Sequence, residues 1–152
     1  MTLPSGIYRI TQWGSHDQPQ VLTLQDELVT VLPPGAAPEK DQEWGVRVRE
    51  DGLVATVQNP ANLFPSRSLS YEGDAERGKR VIPGPFTDFP TRFWRVEPAP
   101  QLPLPVPYFI RVPDKDLIAA VSDILIFPPA LALETGSFDL KNAWAFELLR
   151  PN

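Results

Sequence analysis

Gln42-Glu43-Trp44-Gly45-Val46-Arg47-Val48 decides the fold, because its pattern comes back twice. Arg92-Phe93-Trp94-Arg95-Val96-Glu97 and Asn142-Ala143-Trp144-Ala145-Phe146-Glu147-Leu148 carry the same tryptophan, at intervals of 94 − 44 = 50 and 144 − 94 = 50 residues. From each tryptophan onward apolar side chains alternate: Trp44/Val46/Val48, Trp94/Val96 and Trp144/Phe146/Leu148. An alternation of period two places one face of a strand in a core. Two further landmarks accompany the tryptophans. An apolar stretch opens each unit, as Ile7-Tyr8-Arg9-Ile10, Val54-Ala55-Thr56-Val57 and Phe109-Ile110-Arg111-Val112. A proline follows a large apolar residue in each middle, at Leu32-Pro33-Pro34, Ile82-Pro83-Gly84 and Phe127-Pro128-Pro129. Landmarks recurring in one order in three successive units predict an internal threefold repeat.

Composition narrows the class. A chain of 152 residues is expected to form one domain, spanning 1–152. It has no cysteine, which removes disulfides, thiolate metal sites and cysteine nucleophiles, and fits a reducing, cytoplasmic setting. Met1 to Gly6 has neither a basic start nor an apolar run, so no signal peptide is expected. No apolar stretch reaches the ~20 residues of a membrane helix. The net charge of 14 − 19 = −5 argues against nucleic acid or an anionic membrane as the main partner. Nineteen prolines and nine glycines among Val, Ile, Leu and aromatic residues predict an all-β chain with many turns.

Strands are expected at Gly6 to Thr11, Val21 to Leu24, Leu28 to Leu32 and Glu43 to Glu50 in the first unit. The second unit offers Leu53 to Gln58, Leu63 to Tyr71, Val81-Ile82 and Arg92 to Glu97, with a charged, solvated hairpin tip over Glu72 to Arg80. In the third, Tyr108 to Val112 opens, Leu117 to Val121 and Ile124 to Phe127 flank a turn at Ser122-Asp123, and Trp144 to Leu149 closes. Leu131 to Lys141 reads as a loop with room for one short strand. Three units are too few for a propeller, and terminal units that keep the landmarks do not look like solenoid caps. A closed threefold barrel remains. This resembles a β-trefoil of three ~50-residue, four-stranded repeats, at about 6–51, 52–100 and 101–150, with the tryptophan strands fourth in each.

Loop lengths nominate surfaces. From the opening strand to the proline the counts are 33 − 10 = 23, 83 − 57 = 26 and 128 − 112 = 16; from proline to tryptophan they are 44 − 33 = 11, 94 − 83 = 11 and 144 − 128 = 16. Extra residues are therefore expected within 59–80 and 131–142.

Little in the sequence points to catalysis. The one histidine, His16, sits in a polar loop, and no phosphate-binding loop, His-x-x-x-His pair or serine elbow is present. We expect no catalytic residue, no metal and no cofactor: the chain reads as a binding protein. Gly6-Ile7-Tyr8-Arg9-Ile10 resembles the Gly-x-Tyr-x-(Ile/Leu) opening of mushroom β-trefoil protease inhibitors, and Ala143-Trp144-Ala145-Phe146 resembles their Trp-x-(Phe/Ile) ending. That resemblance implies a cytoplasmic defence protein whose partner is a target protease, a serine protease in the mycospin-like branch or a cysteine protease in the mycocypin branch. A substrate-like inhibitor needs a stiff, protruding loop. Arg67 and Ser68 in Pro65-Ser66-Arg67-Ser68 suit a trypsin-like pocket. Gln25, Asp26 and Glu27 form the turn between second and third strands, used in the mycospin-like group. Lys141 and Asn142 lie in the loop before the last strand, and Asn59 and Asn62 would suit an asparagine-directed protease. The alternative is a carbohydrate-binding ricin-type lectin, whose units end in Gln-x-Trp. Gln42-Glu43-Trp44 is the one match, and no unit shows that family's set of early Asp, aromatic platform and late Asn or Gln. An intracellular interaction module is the third reading.

Overall fold

The computed structural model describes residues 4–13, 18–26, 28–48, 54–59, 67–84, 93–98, 107–113, 115–122, 129–136 and 140–151. Twelve strands run through them: β1 (Gly6–Gln12), β2 (Val21–Gln25), β3 (Leu28–Leu32), β4 (Trp44–Val48), β5 (Val54–Asn59), β6 (Arg67–Ser70), β7 (Ile82–Gly84), β8 (Trp94–Pro98), β9 (Tyr108–Arg111), β10 (Leu117–Val121), β11 (Leu131–Thr135) and β12 (Trp144–Pro151). Six of them form a ring of antiparallel pairs: β1 with β4, β4 with β5, β5 with β8, β8 with β9, β9 with β12, and β12 back to β1. Closure removes the exposed edges that an open sheet would present. The other six pair as three hairpins, β2–β3, β6–β7 and β10–β11. First and fourth strands in a barrel, second and third in hairpins, three times over, make a β-trefoil.

Most of the alternation seen in the sequence becomes the barrel interior; Leu148, expected on the core face after Trp144 and Phe146, is exposed, next to a register shift between Ile7 and Tyr8 in the β1–β12 ladder. Tyr8 and Ile10, Trp44 and Val46, Trp94 and Val96, Tyr108 and Ile110, and Trp144 all pack in one core. The three tryptophans are 1%, 0% and 1% exposed. A buried indole N–H needs an acceptor. Trp44 Nε1 donates to Leu22 O at 2.9 Å, Trp94 Nε1 to Leu69 O at 3.1 Å, and Trp144 Nε1 to Ala119 O at 3.0 Å. Each fourth strand is thereby bolted to the second strand of its own unit. The ring closes between units one and three around three aromatic side chains. Phe146 stands edge-on to Tyr8 and Tyr108, with ring centroids 5.8 and 5.6 Å away. Burial pushes both phenols above their ordinary range, Tyr8 further through its neighbour Tyr108.

These bonds fix which positions are equivalent. Leu22, Leu69 and Ala119 correspond, and their neighbours pair alike: Thr11 with Val21, Gln58 with Ser68, Arg111 with Ile118. Across the hairpins Leu22, Leu69 and Ala119 face Val31, Pro83 and Leu133.

Several sequence expectations change on this register. The partner of β10 is Leu131–Thr135, paired from Leu117↔Thr135 to Val121↔Leu131, in the segment expected as a loop with at most one short strand and in place of the expected partner Ile124 to Phe127. Leu131 and Leu133 bury fully and Ala132 almost so, which gives the segment a core to pack on. Ile124 to Phe127 lie outside the described residues. The proline landmark is not a true repeat: Pro33 follows β3, Pro83 lies within β7, and Pro129 precedes β11. In unit three the opening strand is equivalent through Tyr108 and not Phe109, since Tyr8 and Tyr108 both pair with their tryptophan strands.

Recounting removes the expected insertion before Trp144. From the facing residue to the tryptophan the counts are 44 − 31 = 13, 94 − 83 = 11 and 144 − 133 = 11. The extra length lies inside the hairpins instead: 31 − 22 = 9, 83 − 69 = 14 and 133 − 119 = 14. It ties units together. The stretch expected as a solvated tip lies along β11, with Gly78 N–H donating to Leu133 O at 2.7 Å, Leu133 N–H to Lys79 O at 2.8 Å and Val81 N–H to Leu131 O at 2.9 Å. Thr30 Oγ1 donates to Pro129 O, joining unit one to the longer hairpin of unit three. Among the described residues no helix is long and apolar enough to cross a membrane.

Candidate functional site

Of the residues expected to meet a protease, Arg67 and Ser68 lie in the sheet, while Asp26 and Lys141 are exposed in separate turns. Arg67 begins β6 and pairs with Asn59, and Ser68 pairs with both Gln58 and Gly84. Backbone committed to a ladder cannot enter a protease cleft as a convex loop. Gln25 closes the β2–β3 ladder against Leu28, and Asp26 takes a left-handed φ of 51°, which a short polar side chain tolerates in a tight turn. Glu27 and Asn62 lie outside the described residues. Lys141 is exposed and Asn142 half-buried, both in a short 3-10 turn (Leu140–Asn142) before β12. A matching turn, Glu39–Asp41, precedes β4. These residues are spread over all three units and form no common surface loop.

Asn59 plays a different part. It is 3% exposed, and its Nδ2 donates to Lys40 O and Glu43 O, both at 2.9 Å. The amide holds the turn before β4 against the next unit. Removing it leaves two carbonyls short of a donor, so Asn59→Ala is expected to cost about 1–3 kcal/mol. A lower midpoint in thermal unfolding would register the loss; an unchanged midpoint would show that the amide does not hold the turn.

Gln42, of the Gln-x-Trp match, is likewise buried at 4%. Its Nε2 donates to Thr23 Oγ1 at 3.2 Å and Pro33 O at 3.1 Å, and its Oε1 accepts from Gly35 N–H at 3.2 Å. The side chain therefore fastens β2, the end of β3 and the following turn together, two residues before the tryptophan that fills the core.

A polar notch that the sequence reading missed lies on unit three. Arg111 ends β9; its Nε donates to Glu97 Oε2 at 3.2 Å and its Nη1 to Asp116 Oδ1 at 2.8 Å. Asp116 precedes β10 in a turn closed by Val112 N–H to Leu117 O at 2.8 Å, and Gly136 N–H donates to Asp116 O at 2.9 Å. Gly136 follows β11, and a Cβ there would stand 2.3 Å from Asp116 Oδ1 and 2.8 Å from Arg111 Nη1. Glycine lets the ion pair lie against the backbone. The Asp116 side chain stays 71% exposed beside an Arg111 that is 24% exposed. In the sequence Arg111 looked like an ordinary strand residue. Gly136 lay in a segment read as loop, so nothing local linked the two. Among the described residues no group of three or more His, Cys, Asp or Glu could hold a metal ion.

No protein-family profile matches the chain, and no curated protein sequence matches it. Solved structures do. The ricin B-like lectin of Macrolepiota procera, in complex with lactose, superposes with a TM-score of 0.74 at 16% identity, covering 97% of this chain and 99% of the lectin. The Rhizoctonia solani agglutinin gives a TM-score of 0.72 at 12% identity, covering 97% of both chains. A mosquitocidal holotoxin matches at a TM-score of 0.70 and 14% identity, over 99% of this chain and 18% of the toxin. The likeness agrees with the β-trefoil read from the strand pairing. It corrects the expectation of a mycospin-like protease inhibitor: two near-full-length neighbours are a lectin and an agglutinin, and Arg67, the expected anchor, is bound into the sheet.

Proposed function

We propose that this chain is a carbohydrate-binding protein of the ricin B-like lectin type, a single domain over 1–152 with repeats at about 6–51, 52–100 and 101–150. The observation that carries the reading is the superposition on a lectin in complex with lactose, over almost the whole of both chains. Gln42 adds support, since a Gln-x-Trp ending is the mark of ricin-type units and its amide here organises the hairpin base. The proposed activity is binding without catalysis. The charge of the chain is compatible with that activity. An acidic protein of net charge −5 avoids polyanions, while neutral sugars are indifferent to its field.

Retention on immobilised lactose is the direct test. The folded chain is expected to be held on the matrix and released by free lactose, and not by sucrose at the same concentration. Passage through the column without delay would remove lactose as a ligand and narrow the reading to other glycans.

A further inference from the structure

We infer that the Arg111–Asp116–Gly136 notch binds saccharide hydroxyls and that unit three alone is equipped to do so. The inference rests on the lectin reading and says where on this chain that binding occurs. A sugar presents neighbouring hydroxyls, each both donor and acceptor. A carboxylate accepts through two oxygens, and a guanidinium offers five N–H donors. Arg111 spends Nε on Glu97 and one Nη1 hydrogen on Asp116. Asp116 is gripped twice, through its carboxylate by Arg111 and through its backbone carbonyl by Gly136, yet most of its side chain faces water. A group already held in place loses little freedom when a ligand arrives.

The protein contains its own comparison. In the register set by the tryptophan bonds, Arg111 corresponds to Thr11 and Gln58. Asp116 lies three residues before Ala119, where unit one has Pro19, and Gly136 lies three after Leu133, where unit one has Pro34. Unit one thus lacks the acid, the guanidinium and the glycine together, and unit two lacks the guanidinium. The scaffold itself does not need the set, because the other two units form their hairpins without it. An ion pair with its carboxylate this exposed adds little to stability.

Calorimetric titration with lactose, run beside a glycan array, tests the site on the full chain. Asp116→Ala and Gly136→Ala are each expected to weaken binding about tenfold or more, the scale of losing a charge-assisted hydrogen bond. Glu147→Gln, a change on exposed β12, is expected to leave affinity unchanged. Asp116→Ala removes only surface atoms, so an unaltered melting midpoint separates lost binding from lost folding even where Gly136→Ala distorts its turn. Wild-type binding that survives Asp116→Ala undiminished overturns the site and leaves the lectin reading standing. A folded wild type that binds neither lactose nor any arrayed glycan overturns both.

Discussion

Trp94→Ala is expected to destabilise the fold by about 3–5 kcal/mol, the range for truncating a fully buried large aromatic side chain. The indole is 0% exposed, stands edge-on to Tyr71 at 5.7 Å, and gives its N–H to Leu69 O. Truncation opens a cavity in the core and strips a buried carbonyl of its donor. Domains of this size are stable by only about 5–15 kcal/mol, so the variant should lose a large share of its stability. Chemical denaturation checks the size of the effect. Trp94→Phe keeps an aromatic ring in the core but loses the N–H and part of the volume, so its cost should lie below that of Trp94→Ala, at about 1–3 kcal/mol. Equal costs for the two variants would show that the hydrogen bond and not the volume carries the effect. A cost below about 1 kcal/mol for Trp94→Ala would contradict the buried placement.

Leu133→Ala is expected to cost about 2–5 kcal/mol. Leu133 is 0% exposed in the middle of β11, faces Ala119, and is bonded through its backbone to Gly78 and Lys79 of unit two. Were 131–141 a surface loop, the same change would fall within about 0.5 kcal/mol. Thr135→Ala, at the exposed end of the same strand, serves as the control and should move the denaturation midpoint little.

The barrel strands were legible because burial of one face writes itself into alternate residues. Trp44/Val46 and Trp94/Val96 were read on the side of the sheet where they lie. The third hairpin was not legible. Its register depends on which carbonyl receives the Trp144 indole, a contact across 25 residues. A proline after a large apolar residue looked like one recurring landmark in all three units, yet proline is tolerated both beside a strand and within an outer one, and Pro83 sits inside β7. Arg67 looked like part of a stiff, protruding loop because Pro65 precedes it, and the pairing with Asn59 shows otherwise. Asn59 looked suited to an asparagine-directed protease, and the hydrogen bonds of its buried amide are long-range. The notch escaped for the same reason. Arg111, Asp116 and Gly136 meet only when β11 lies beside β10, and the sequence pointed to Ile124 to Phe127 as the partner of β10.

Binding of the folded, labelled chain to a glycan array, with free-sugar competition, tests the central claim most directly. A carbohydrate-binding β-trefoil predicts saturable retention on a restricted set of glycans, displaced by the matching free sugar and not by its epimers. A chain with an intact cooperative melt that is retained on no glycan would contradict it.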